Sequence, residues 1–204
     1  GRMFGRLPAR GDVVIVTPPG SGTDYIKRVI GLPGDRVAVR DGVLYLNGQV
    51  VPRRFVGDRS VPVDANTRCD ASPSLLARGR DGKTYCRLPI YRETLPGGRS
   101  YDTVDMGVRP SIGDHYPERR VPKGHVFLMG DNRDNSADSR YSVAERGLGG
   151  PVPWENIGGR AEFITFSLDG SAGWNPLTWF ASFRSGRAGH SLHPSEEIRE
   201  VSAK

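Results

Sequence analysis

The chain has 204 residues, a formal net charge of +6, 36% hydrophobic and 25% charged residues, enough for one large domain or two small ones. Its 27 glycines and 16 prolines argue against a bundle of long helices, because both residues break helix interiors. The longest apolar runs are four residues, as at Val13-Val14-Ile15-Val16, which is too short for a membrane-spanning helix within these residues.

Residues 1–10 carry charge without an apolar core and do not read as a signal peptide. With Gly1 as its first residue, the chain is expected to be a fragment. Residues 12–16 form an apolar, β-branched run, and residues 18–22 a Pro/Gly loop. A second run at 25–30 is stopped by Gly31-Leu32-Pro33-Gly34-Asp35. Arg36–Arg40 alternates, and Asp41-Gly42 turns the chain into Val43–Leu46, where Asn47-Gly48 turns it again. Asp-Gly and Asn-Gly between apolar strands are strong hairpin signals, so residues 11–51 are predicted to be an antiparallel meander. Residues 52–90 are polar and Arg-rich and predict a loosely structured insert with one hairpin at Asp81-Gly82. Pro96-Gly97-Gly98 separates two short strands within 91–108, and residues 110–122 read as a loop. His125–Met129 is a further strand, followed by a polar stretch to Arg140. Residues 147–153 are rich in turn formers, and 161–167 read as a final core strand. In the tail, Trp174, Leu177, Trp179, Phe180 and Phe183 are mixed with Arg184 and Arg187. That mixture suits a membrane interface and equally a C-terminal helix packed on the domain. Residues after Gly189 read as disordered.

Twenty-five of the 29 basic residues are Arg, with no basic run longer than two. This scatter argues against nucleic acid as a partner. Cys69 and Cys86 form no Cys-x-x-Cys pair and no zinc spacing with the four histidines. In a reducing compartment they are two free thiols; in an oxidising one they can close a disulfide.

The four lysines are Lys27, Lys83, Lys123 and Lys204. Three occupy a turn, a Pro-Lys-Gly segment and the terminus. Lys27 lies inside a predicted strand, sharing one face with Tyr25 and Val29, while Ile26, Arg28 and Ile30 share the other. If the Lys27 face meets the core, burial lowers its pKa and a neutral amine becomes available as a general base. The competing reading is a lysine that reaches the surface along its aliphatic stem.

Gly130-Asp131-Asn132-Arg133-Asp134-Asn135-Ser136-Ala137-Asp138-Ser139-Arg140 follows a strand and gathers charges of both signs. Such composition fits a solvated loop. It also fits a folded active-site loop in which Asp–Arg pairs brace the chain and a Ser hydroxyl faces an amine. Asp134, Ser136, Asp138 and Glu145 match positions 1, 3, 5 and 12 of a calcium loop, but Ser139 stands where glycine is needed and no helices flank it.

Two segments together carry a family resemblance. Asp24-Tyr25-Ile26-Lys27-Arg28-Val29-Ile30-Gly31-Leu32-Pro33-Gly34-Asp35, followed by Gly130 to Arg140, resembles the bacterial type I signal peptidases, serine–lysine endopeptidases of the S26 family. Arg10-Gly11-Asp12-Val13-Val14 and Glu93-Thr94-Leu95-Pro96-Gly97-Gly98 are similar to two further family segments. The resemblance covers residues 10–51, 91–108 and 124–169. It implies a mainly β fold: an antiparallel-sheet catalytic core (1–51 and 121–170) with an inserted smaller β domain (52–120) and a tail (171–204). It implies cleavage of signal peptides from exported preproteins after small residues of an Ala-x-Ala-like site, without a cofactor or metal. By the same resemblance Lys27 is the general base, Ser136 orients it, and Asp131, Arg133, Asp138 and Arg140 brace the site. The implied location is the periplasmic side of the bacterial cytoplasmic membrane, with a lipid surface as neighbour and an oxidising setting that favours a Cys69–Cys86 disulfide.

The family carries its nucleophilic Ser in a Ser-Met-x-Pro segment ahead of the Arg-Gly-Asp segment, after a membrane anchor. No such segment occurs in residues 1–204. The expectation is an N-terminally truncated chain that is inactive alone. Pro151 is a smaller departure, standing where relatives often have an aromatic residue. Two other readings remain open: a self-cleaving repressor-type Ser/Lys protease, and a non-catalytic calcium- or lipid-binding β module.

Overall fold

A computed structural model describes residues 7–18, 20–65, 68–69, 73–164 and 188–196. The strands in chain order are β1 (Val13–Val16), β2 (Tyr25–Gly31), β3 (Arg36–Arg40), β4 (Val43–Leu46), β5 (Gln49–Val50), β6 (Arg53–Pro62), β7 (Leu76–Arg78), β8 (Thr84–Thr94), β9 (Arg99–Val104), β10 (Arg119–Arg120), β11 (His125–Met129), β12 (Val152–Pro153), β13 (Ile157–Arg160) and β14 (Ser195–Glu196). Three short 3-10 turns, and no α-helix, occur among the described residues.

The strands form three antiparallel sheets. The first runs β12-β11-β2-β1-β13, the second β10-β3-β4-β5, and the third β14-β9-β8-β6 with β7 also paired to β8. The protein is mainly β, as the family resemblance implies. Both two-residue turns adopt the left-handed backbone their sequences favour: Asp41 and Gly42 have φ of 50° and 73°, Asn47 and Gly48 of 56° and 79°.

The predicted meander is divided between two sheets. β1 and β2 pair with each other, but β3, β4 and β5 pair on into the second sheet. The change of sheet occurs at Gly31, where a methyl group would meet Val37 Cγ2 at 2.8 Å and Phe127 Cβ and Val121 Cγ2 at 3.0 Å. Only glycine allows the backbone to pass so close to the second layer.

Sheet one is covered on both faces. Ile30 and, from β11, Phe127 and Met129 join one cluster with Val37, Val39, Leu44 and Leu46. Val29, Val126 and Leu128 join a second cluster with Val14, Val16, Leu148, Val152 and Ile157. The two faces of β2 distinguished by alternation therefore both meet apolar layers. This explains why its second half reads as a continuous apolar run.

The described part of residues 52–90 holds more regular structure than its composition suggests. β6 and β8 pair from Arg53↔Glu93 to Pro62↔Tyr85, with one irregularity between Phe55 and Gly57. β6 is largely exposed, and β8 mixes buried and half-buried positions without a period of two, so neither shows the apolar alternation that marks a half-buried strand. Cross-strand contacts stabilise the ribbon instead: the Phe55 and Tyr91 rings are 5.4 Å apart, and the Arg53 guanidinium lies 4.1 Å from the Tyr91 ring. Cys69 and Cys86 are joined as a disulfide that ties the segment before β7 to β8.

The final core strand lies earlier than 161–167. Ile157–Arg160 pairs with β1, while Phe163 makes an isolated bridge to Ser191. The remainder of that prediction, and the aromatic tail from Trp174 to Arg187, lie outside the described residues. Nor is the chain after Gly189 structureless throughout, since Ser195 and Glu196 pair with Ser100 and Arg99.

Candidate active site

The register of sheet one sets the position of Lys27. It stands opposite Val14 on β1, while its neighbour Arg28 stands opposite Met129, the last residue of β11. Lys27 thus lies beside Gly130, where the chain leaves the sheet and enters the polar loop. A methyl group on Gly130 would lie 3.8 Å from Lys27 Cδ and would collide with Cβ and Oγ of Ser136. The glycine leaves the space in which the Ser136 side chain sits against the backbone, next to the lysine stem.

The loop is braced from within by Asp138, which is fully buried. Its Oδ2 accepts from Gly130 N at 3.0 Å and Arg140 Nη2 at 2.8 Å, and its Oδ1 from Arg140 Nε at 2.9 Å. Arg140 donates further to the carbonyls of Arg133 (2.8 Å) and Gly113 (3.0 Å). Ser139 closes the loop onto β11: its hydroxyl accepts from Leu128 N at 3.0 Å, and its own N–H donates to Leu128 O. These contacts form a folded frame, in contrast to a solvated loop, and every buried charge in it has a partner.

Two further ion pairs tie the loop to its surroundings. Arg28 donates from Nε and Nη2 to both carboxylate oxygens of Asp131, at 2.8 and 2.7 Å, and from Nη1 to Gly11 O. Its guanidinium lies 4.4 Å from the Tyr101 ring centre. Arg133, also buried, donates to Glu93 Oε1 and Oε2 at 2.6 and 2.7 Å and to Gly130 O at 3.2 Å. Tyr101 donates its hydroxyl to Glu93 Oε2 at 2.8 Å. Burial opposes the charge of Arg133, but Glu93 beside it holds the guanidinium above its ordinary value. Burial next to Glu93 pushes the Tyr101 hydroxyl well up, so it stays a donor.

Lys27 is half-buried and makes no ion pair within 4 Å among the described residues. Its ammonium instead lies 4.7 Å from the centre of the Tyr25 ring. Burial lowers its pKa; Asp138 opposes this, Arg140 adds to it, and Asp131 opposes it more weakly. The Ser136 hydroxyl is buried and has no hydrogen-bond partner. The Ser136–Lys27 hydrogen bond that the family resemblance implies is therefore not formed; the amine lies over the Tyr25 ring instead. The site brings together a desolvated amine and an unpartnered hydroxyl on a rigid frame.

All six residues singled out by sequence, Lys27, Ser136, Asp131, Arg133, Asp138 and Arg140, belong to this one constellation. Sequence reasoning missed Arg28, Glu93 and Tyr101. Arg28 stood beside the lysine with its face already assigned, and Glu93 opened one of the recognised segments; neither has its partner nearby in the chain. Three of the four residues that match calcium-loop positions are engaged elsewhere. Asp138 is held by Arg140, Asp134 accepts from Met106 N at 2.6 Å, and Glu145 caps its own 3-10 turn through Ser142. No group of three or more His, Cys, Asp or Glu among the described residues is placed to hold a metal ion.

The sequence model of the family described as signal peptidase, peptidase S26, matches residues 4–166. The chain belongs to this family. A signal peptidase I of Rickettsia typhi is 38% identical over 188 residues, covering 88% of this chain and 58% of the relative. That of Rickettsia prowazekii is 39% identical with the same coverage. One from Rickettsia akari is 34% identical over 213 residues, 97% of this chain and 70% of the relative. The peptidase S26 chain thus spans little more than half the length of the first two relatives. A crystal structure of a signal peptidase I from Enterococcus faecalis aligns with a TM-score of 0.39 at 23% identity, over 76% of this chain and 97% of that one. No helix among the described residues is long and apolar enough to cross a membrane.

Proposed function

We propose that this S26 chain is the catalytic portion of a signal peptidase I, cleaving signal peptides from exported preproteins after small residues by serine–lysine chemistry. The observation that carries the reading is the half-buried Lys27 amine, without an ion-pair partner among the described residues, beside the buried Ser136 hydroxyl, which has no hydrogen-bond partner among them. Family membership supports it.

In this reading Lys27 is the general base, and its lowered pKa makes the neutral amine easier to reach than in an ordinary lysine. The neutral amine no longer gains from the Tyr25 ring and acquires a lone pair. The Ser136 hydroxyl can then donate to that lone pair and aim the amine. Asp131, Arg133, Asp138 and Arg140 hold the frame. The nucleophile is the serine of a Ser-Met-x-Pro segment of the kind the family carries. Its proton passes to Lys27 as its oxygen attacks the carbonyl, the protonated Lys27 gives that proton to the leaving amine as the peptide bond breaks, and the neutral Lys27 then activates water to hydrolyse the acyl-enzyme. Residues 1–51 and 121–170 serve as catalytic core and 52–120 as the inserted β unit. The working location is the periplasmic face of the bacterial membrane, with lipid nearby.

The test joins a Ser-Met-x-Pro segment and its anchor ahead of Gly1 and measures cleavage of a preprotein. Cleavage that Lys27→Ala abolishes is expected. Cleavage that persists in Lys27→Ala overturns the base assignment.

A further inference from the structure

The residues that touch Lys27 or Ser136 do not account for Glu93. This carboxylate comes from β8, in the third sheet, yet it is only 2% exposed and reaches the loop of the first sheet. Both its oxygens are taken by Arg133, and one also accepts from Tyr101. Arg133 in turn donates from its remaining edge to the carbonyl of Gly130. Gly130 is the residue whose bare Cα faces both Ser136 and the Lys27 stem. A continuous path therefore runs from Glu93 through one guanidinium to the peptide that shapes the space beside the amine. The same sheet holds the loop a second time. Val104 at the end of β9 accepts from Arg133 N at 2.9 Å, and its N–H donates to Asp131 O at 2.8 Å.

We propose that Glu93 is a positioning residue for Lys27, acting through Arg133 and the Gly130 carbonyl. The third sheet then carries the external anchor of the active-site loop. The inference rests on the reading of Lys27 as the base, but its geometry does not depend on the reaction. Without Glu93, Arg133 is a buried cation with no counter-charge. It would turn toward water and release Gly130, and the loop that covers Lys27 would loosen. The charged groups around the amine itself, Asp138, Arg140 and Asp131, keep their chemical identity in the variant, so a change at Lys27 reports how the loop that carries them is held.

The experiment uses the 204-residue chain with carbon-13-labelled lysine. Only four lysines are present, so the Lys27 signal can be assigned by its loss in Lys27→Met and followed against pH. In Glu93→Gln, which keeps the size and one acceptor, the Lys27 midpoint is expected to move up toward the ordinary lysine value. Tyr101→Phe removes only the hydroxyl donated to Glu93 and keeps the ring under Arg28. It should move the midpoint the same way by less, and it serves if Glu93→Gln does not fold. Folding is followed by the cooperativity of thermal unfolding. A folded variant with the Lys27 midpoint unchanged overturns the proposal. In a chain with a Ser-Met-x-Pro segment and anchor joined ahead of Gly1, Glu93→Gln should lower kcat by about 10- to 100-fold with KM little changed. The Glu93→Gln, Arg133→Lys double variant should lose no more than the worse single one. Full additivity of the two losses overturns the path through Arg133. Failure of the base assignment shows separately, as cleavage surviving Lys27→Ala.

Discussion

Arg28 and Asp131 are joined by two parallel hydrogen bonds across 103 residues of sequence, fastening the residue after Lys27 to the first acidic residue of the loop. The planar fork of a guanidinium matches the carboxylate edge, whereas a lysine ammonium meets it at a point. Arg28→Lys also gives up Gly11 O and the stacking on Tyr101. It is expected to destabilise the protein by about 1–3 kcal/mol, read from urea unfolding. A variant as stable as the parent would show that the fork contributes nothing.

Ser136 separates stability from activity. A buried hydroxyl without a partner carries a desolvation cost, so Ser136→Ala should be neutral or slightly stabilising, within about 1 kcal/mol. With the nucleophile segment present, the same change should reduce cleavage by about 100-fold or more. Loss of both in proportion would make Ser136 an ordinary packing residue.

Gly130→Ala tests the same space from the other side. The added methyl collides with Ser136 and is expected to cost about 1–3 kcal/mol, typical of overpacking. The Gly130→Ala, Ser136→Gly double variant removes the obstacle. It should recover most of the stability and none of the activity. No recovery in thermal unfolding would place the strain elsewhere.

The lowered pKa of Lys27 has a sign that thermal unfolding can read. Folded Lys27 binds its proton more weakly than the unfolded chain does, so at neutral pH the buried ammonium is a cost. That cost fades as pH rises from the lowered value through the ordinary lysine value of about 10.4. Lys27→Met should therefore raise Tm at pH 7 by a few degrees, the change about 1 kcal/mol produces in a domain of this size. The gap to the parent should narrow above about pH 10. A lower Tm, or a gap independent of pH, would contradict a desolvated amine.

The Cys69–Cys86 disulfide closes a loop of sequence separation 17. Replacing both cysteines with serine should lower stability by roughly 3 kcal/mol through the freer unfolded chain. The effect should not grow when dithiothreitol is added. A further loss with reductant would point to a target other than this disulfide.

The strands around the two Gly turns are readable because Asp-Gly and Asn-Gly permit few backbones. Their division between two sheets is not readable. Alternation tells which side of a strand is apolar, not which layer will cover it. In β2 Val29 and Ile30 both find one. The β6–β8 ribbon is hidden for a different reason: β6 is largely exposed and the buried positions of β8 do not alternate, so its side chains carry no period to read. The motif residues around Lys27 emerge because they stand in two contiguous runs. Glu93 and Tyr101 do not, since a buried counter-charge 40 residues from Arg133 leaves no local trace.

Cover on both faces of β2 and β11 has a consequence for motion. To release the amide protons of Val29 or Leu128, the protein must pull apart both apolar layers at once, so their exchange with solvent should proceed only through global unfolding. Lys27 and Gly130 lie just beyond those positions along their own strands. The chemistry proposed here thus sits at the margin of the most slowly exchanging region of the molecule, where a loop can adjust while the strands that aim it stay still.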